Sequence, residues 1–260
     1  SMYLDGLSAI YSRQVAGYKF YLLGEVLDDP VWYYYPVSFL LKTPEPTLCL
    51  IGIAVFTTIR SPALRRPGLY LLTPAALILG ASFFDQANLG LRRILPVYPF
   101  LFAFIAIAGS EKPCRLCKAV TVGLVIWAGL AGALAYPHYL SYFNVLSGGS
   151  VNAPYLLDDS NVDWGQDLPA LAEWQSQHPD QPIKLRYFGT ADPSFYGVRA
   201  DEMLDDEVIT PKPGIYAISA HNLVHFRKIA TQTNRPGLDW LDRYEPFDRA
   251  GASIYLYRFP

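Results

Sequence analysis

Apolar residues fall into four long runs before residue 144 and into short alternations after it. The runs cover 46–59, 68–84, 94–108 and 119–136. Each is somewhat short of the ~20 residues that span a bilayer core, although about 17 suffice for an untilted helix and flanking turns extend them. A helix on the surface of a soluble core keeps a polar stripe at helical period, yet 69–84 offers little beyond Thr73 and Ser82. Aromatic clusters sit at the run ends, Trp32-Tyr33-Tyr34-Tyr35 before the first and Tyr136, Tyr139, Tyr142 and Phe143 after the last. Amphipathic rings concentrate in this way at the headgroup layer. The pattern predicts a multi-pass α-helical membrane region of about four helices over 46–143, preceded by an extracytoplasmic or interfacial segment over 1–45.

From 144 onward Asp, Glu, Gln, Asn and Pro are frequent. Here 168–177 and 222–231 read as helices, and 183–188, 215–219 and 253–259 as strands. This predicts a small extracytoplasmic α/β domain over 144–260. The split explains a composition that is 52% hydrophobic and only 17% charged, where a soluble chain carries about a quarter charged residues. A net charge of -2 gives no footprint for nucleic acid.

Basic residues set the expected orientation. Arg60, Arg65 and Arg66 lie between the first two runs, and Lys112, Arg115 and Lys118 between the last two. Positive loops stay in the cytoplasm, which places the N-terminal segment and the polar half outside an inner or plasma membrane. Arg92 and Arg93 then fall outside, against the rule. Residues 4–18 read as an amphipathic segment, and the abrupt entry into the membrane looks like the C-terminal portion of a longer protein. Cys114 and Cys117 form a lone C-x-x-C without a second ligand pair and read as reduced thiols.

Charge beside hydrocarbon is costly and marks a functional site by default. Lys42 closes an aromatic-rich helix on the same expected face as Arg92 and Arg93. Three cations beside aromatic surface suit a lipid with a phosphate or pyrophosphate head, guanidinium by forked hydrogen bonds and ammonium as a point charge. The competing reading is snorkelling of helix-end cations to ordinary headgroups. In the polar half, Asp159, Asn161 and Asp163 have the D-x-N-x-D spacing of a calcium loop. Trp164 stands where the loop glycine belongs and Ala170 where its glutamate does. Three readings stay open: a metal site, capping of the helix at 168 by Asp163 or Asp167, and a sugar or acceptor site including Gln166 and Asp167. The cofactor is unassigned, a divalent cation being the one candidate. The chain has no P-loop, G-x-G-x-x-G or G-x-S-x-G, and its four histidines have no diagnostic neighbours.

Several segments occur in a familiar order: Trp32–Pro36 with Leu40-Leu41-Lys42-Thr43-Pro44, Leu89-Gly90-Leu91-Arg92 with Leu95-Pro96-Val97-Tyr98-Pro99-Phe100-Leu101, Pro137-His138-Tyr139-Leu140-Ser141-Tyr142-Phe143-Asn144, and Asp159-Ser160-Asn161 with Asp163-Trp164-Gly165-Gln166-Asp167-Leu168. Together they resemble the C-terminal half of bacterial membrane glycosyltransferases similar to protein O-mannosyltransferases and lipid A aminoarabinose transferases, of the C-type glycosyltransferase superfamily. The resemblance implies an inverting glycosyltransferase of the cell envelope. It would move a sugar from a polyprenyl-phosphate donor lipid to an acceptor protein or lipid outside the cytoplasm. It implies a catalytic acidic base upstream of this chain and gives Arg92 the donor phosphate, since Arg93 stands where an aromatic residue or histidine is usual. The alternatives are a membrane-anchored extracytoplasmic binding or sensor protein, and a transporter fragment. The last would want Gly/Pro-broken polar spans.

Overall fold

The computed structural model describes residues 20–85, 87–109, 115–233 and 238–260. The amphipathic segment 4–18, Lys112 and Cys114 lie outside the described residues. The chain divides into two compact units, one containing Leu27–Gly149 and the other Tyr21–Val26 with Ser150–Pro260.

The first unit is helical. Helix α1 (Tyr34–Lys42) ends where Pro44 forbids continuation, and α2 (Glu45–Arg60) leaves it at a 113° bend. Ser61 alone separates α2 from α3 (Pro62–Ser82), whose Pro62 fills the first helical turn, where no amide donor is needed. A 3-10 turn (Leu91–Ile94) then leads into α4 (Val97–Ala108), and α5 (Arg115–Leu134) follows. Helices α2, α3 and α4 meet at Ala54, Phe104 and Ala108. Gly68 is required at this crossing, because a Cβ there would sit 2.9 Å from the Thr58 methyl and 3.2 Å from Phe104. The large apolar side chains point the other way: Ile53, Phe56, Ile59, Leu69, Tyr70, Leu77 and Phe102 are exposed, and α5 buries none of its residues.

The expected multi-pass membrane region is not what the structure shows. Among the described residues one helix, α5, is long and apolar enough to cross a membrane, or two if the bent pair α1 and α2 is one span. Bilayer thickness gives the reason, since a ~30 Å core needs about 20 apolar residues. Alone, α2 has 16 residues and α4 has 12. Helix α3 is 21 residues long, but it carries Arg65 and Arg66 on the helix itself, where the sequence reading put a loop, and includes Pro67 and Pro74. The charge count over four crossings loses its basis with them. The chain is instead an α/β protein with ten α-helices among the described residues and a mixed sheet. Cys117 is disulfide-bonded rather than reduced.

The second unit is built on a five-stranded sheet in the order β4-β3-β5-β7-β6. Its strands are β3 (Ile183–Arg186), β4 (Ala200–Glu202), β5 (Gly214–Ser219), β6 (Asp248–Ala250) and β7 (Ile254–Phe259). A two-stranded hairpin (β1, Phe20–Leu22; β2, Glu25–Leu27) precedes it in the chain, and its Leu22 bridges to Leu157. Strand β3 pairs in parallel with β4 and β5, while β7 is antiparallel to β5 and β6. Alternation sorts the side chains between the two faces. On one face Ile183, Leu185, Ala217, Ile254 and Leu256 pack with Leu168, Leu171 and Trp174 of α7 (Leu168–Gln177), after the short α6 (Ala153–Leu156). On the other, Tyr257 and Phe259 meet Trp240 of α10 (Trp240–Arg243), which also faces Phe226 of α9 (Ala220–Thr233). The remaining helix, α8 (Asp205–Ile209), lies between β4 and β5 in the chain.

Candidate functional site

Three of the four motif segments meet in the first unit, at the elbow between α1 and α2. Lys42 donates to the Leu140 carbonyl at 2.8 Å, and its ammonium lies 4.5 Å from the centre of the Phe143 ring. Thr43 Oγ1 and Tyr98 OH share a hydrogen bond of 2.7 Å. The Asn144 amide donates to the carbonyls of Leu40 and Thr43, and Glu45 accepts from the backbone of Val145 and Leu146. Proline leaves carbonyls at the end of α1 without helical donors, and the Asn144 side chain supplies them.

The arginine pair sits next to this elbow, in the 3-10 turn that packs against α1. Gly90 makes the turn possible, since φ is +113° there. The two arginines differ in exposure. Arg93 is half-buried and donates to both Asp85 oxygens, at 3.0 and 2.9 Å. Asp85 also accepts from Tyr35 OH at 2.5 Å and from the Ala87 amide at 3.1 Å. The Arg93 charge is thus matched inside the unit. Arg92 is exposed.

In the second unit the chain leaves the carboxyl end of β3 toward β4 and that of β5, through α9, toward the opposite edge. Ligands of open α/β sheets bind in the crevice where connections part in this way. Around this crevice the Ser219 hydroxyl accepts from the Phe188 amide at 3.2 Å and from the Asn222 side chain at 3.0 Å. Asn222 also donates to the Arg186 carbonyl at 3.3 Å. The predicted polar loop reaches it as well. Asp163 is fully buried and accepts from the amides of Gly165 (2.9 Å) and His221 (3.2 Å). Trp164, half exposed, sets its edge on Phe188, whose ring lies 3.9 Å from that of His221. Asp159 takes the left-handed conformation, φ +56°, in this loop. Aspartate tolerates that region better than most residues, and strained backbone gathers at functional sites.

The other members of the predicted cluster hold the loop together. Buried Asn161 donates to the Asp158 carbonyl, while Gln166 accepts from the Trp164 amide and donates to the Val162 carbonyl. Asp167 precedes α7 but does not cap it with its side chain. Its carboxylate reaches the amides of Ala252 and Ser253 and the Ser253 hydroxyl, at 2.6–2.8 Å. A Cβ on Gly251 would lie 2.5 Å from that carboxyl carbon, so this turn admits only glycine. No group of three or more His, Cys, Asp or Glu side chains placed to hold a metal occurs among the described residues.

Sequence reasoning missed a charged cluster beside the crevice. Asp158 is buried and accepts from His221 Nδ1 at 2.9 Å and from Lys228 at 2.6 Å. Burial pushes the Asp158 carboxyl up, but the His221 hydrogen bond and the Lys228 charge outweigh it and hold the group below its ordinary value. Burial alone lowers the His221 imidazole, and the bond and charge of Asp158 reverse this and leave it raised. Burial raises Asp163 despite the Gly165 amide and Ser219 hydroxyl bonded to it. The available signal was position: His221 follows a strand directly, at the carboxyl end where such domains collect polar groups.

No protein-family model, no curated protein and no solved structure matches this chain.

Proposed function

We propose that this chain belongs to a membrane-associated glycosyltransferase that takes a sugar from a polyprenyl-phosphate donor, with Arg92 holding the donor phosphate. The observation that carries the reading is the division of labour in the arginine pair. Asp85 and Tyr35 fix Arg93 within the fold, while Arg92 stands exposed on the adjacent residue, beside helices whose apolar side chains face outward. An isoprenoid phosphate offers the two complementary surfaces, hydrocarbon for the helices and oxygens for a forked guanidinium. When the bond from the sugar to the phosphate oxygen breaks, negative charge grows on the phosphate, and a cation fixed there stabilises it.

Helix α5, 20 residues rising about 30 Å, is long and apolar enough to cross a bilayer, and we read it as the element that would associate the chain with lipid.

Of the three readings open for Asp159, Asn161 and Asp163, we favour polar ligand contact in the second unit, where Asp163 stands with His221 and Trp164 packs on Phe188 beside it. Arg92→Ala is expected to raise KM for a polyprenyl-phosphate sugar tenfold or more, without altering the melting temperature. Unchanged transfer kinetics in that variant refute the phosphate role.

A further inference from the structure

The sheet of the second unit ends on one side in an open, acidic strand. Strand β4 forms its outer edge, pairs only with β3 and is exposed along its whole length. The Met203 amide donates to the Leu185 carbonyl at 3.1 Å, so Asp201 and Met203 turn their peptide groups toward β3. Ala200 and Glu202 turn theirs outward, where a further strand would bond to them. Residues 192–206 hold five carboxylates and one arginine. Asp205 and Asp206 are paired with Arg186 and Lys212, at 3.0 and 3.6 Å, whereas Asp201 and Glu202 form no ion pair among the described residues. The turn before the strand adds aromatic surface, with Phe195 88% exposed and Tyr196 47%. Asp192 and Ser194 of that turn line one cavity, of about 550 Å³, with Ala200 and Glu202.

We propose that this edge docks an extended, Lys/Arg-rich segment of a partner protein by strand addition. The register asks for adjacent basic residues in that segment. Glu202 pairs with Leu185, which packs against α7, and Asp201 pairs with Lys184 on the opposite face. Successive side chains of an added strand alternate between the same two faces, so two consecutive cations each meet a carboxylate. The exposed rings suit the same ligand, because guanidinium and ammonium groups sit on aromatic faces. A second copy of this chain does not fit, since its own β4 would set like charges opposite one another. Charge on an edge also deters unwanted pairing, but protection alone would not leave Phe195 bare beside it. The proposal does not rest on the role given to Arg92.

The test is fluorescence anisotropy of the full chain in nanodiscs of zwitterionic lipid, titrated against a labelled, capped octapeptide with a central Lys-Arg pair among threonines and valines. One companion peptide replaces the pair by two glutamates. Another carries N-methyl groups on consecutive backbone amides, with its charge unchanged. The basic peptide is expected to bind at least tenfold more tightly than either companion. Because this comparison uses only the wild type, it does not depend on a variant folding. Asp201→Lys with Glu202→Lys, both at exposed positions, is expected to abolish binding of the basic peptide with the melting temperature kept, and to make the diglutamate peptide the better ligand. Phe195→Ser is expected to weaken the basic peptide threefold or more. Absence of basic-peptide binding, equal binding of either companion, or affinity unchanged in the doubly substituted chain each overturns the proposal. So does self-association of the wild type that the double substitution abolishes, which would make the occupant a second copy.

Discussion

Adjacent residues of like charge do different work here because their neighbours differ. Arg93 faces a carboxylate that already holds a buried tyrosine hydroxyl, so removing its side chain leaves Asp85, mostly shielded from water, without its counter-charge. Arg93→Ala is expected to destabilise the first unit by about 2 kcal/mol, in line with loss of a charged hydrogen-bonded pair. Chemical denaturation followed by tryptophan fluorescence checks this, and a loss within about 0.5 kcal/mol would contradict the assignment. Asp158 and His221 make a second residue-scale prediction. Asp158 is depressed in the fold, so its contribution is complete above an unfolded value of about 3.9 and fades as pH falls through the folded one. His221 is raised, so its contribution is complete below about 6.5 and fades as pH rises through its folded value. The pair therefore supports the second unit most between about pH 4 and 6.5. In melting curves extended above this range, through the folded value of the raised His221, His221→Gln is expected to remove the decline that begins above about 6.5, and a variant profile parallel to the wild type would count against the pair.

Among the elements, α5 is the one whose environment is most strongly implied by its surface. Val125 is exposed near its middle, and an arginine at such a depth costs about 2.5–3.5 kcal/mol of insertion free energy. Val125→Arg is expected to reduce recovery of the chain in the membrane fraction severalfold, and equal recovery would argue against a lipid environment for this helix. The apolar runs located α2 to α5 correctly as helices but gave the wrong picture of spans. Hydropathy averaged over a run hides where a helix begins. Helix α3 starts at Pro62, taking in two arginines, and α4 starts only at Val97, because Leu91–Ile94 winds as a 3-10 turn. In the second unit, 168–177 matched its helix and the three longest strands were legible from alternation. The edge strands β4 and β6 were not, since three residues such as Ala200-Asp201-Glu202 carry no period and are ordered by the neighbouring strand. Asp167 illustrates a further limit. A helix-capping position was readable, but the carboxylate is captured by amides 85 and 86 residues away.

At the scale of the whole molecule, each unit carries its own polar centre. In the first, charge beside apolar runs singled out Lys42, Arg92 and Arg93; Lys42 bonds to the Leu140 carbonyl and Arg93 to Asp85, partners that the sequence did not indicate. The cluster of Asp158, His221 and Lys228 was not legible, because its members are separated by up to 70 residues and joined only by the sheet topology. The proposed role of Arg92 is to bind a lipid-linked phosphate. Its most direct test is the affinity of the full chain, in nanodiscs, for farnesyl phosphate, comparing wild type with Arg92→Ala and using farnesol as the uncharged reference. Arg92→Ala is expected to weaken farnesyl phosphate at least tenfold while farnesol is unaffected. Equal affinity of wild type and Arg92→Ala for farnesyl phosphate, or an equal loss for farnesol, would contradict that role.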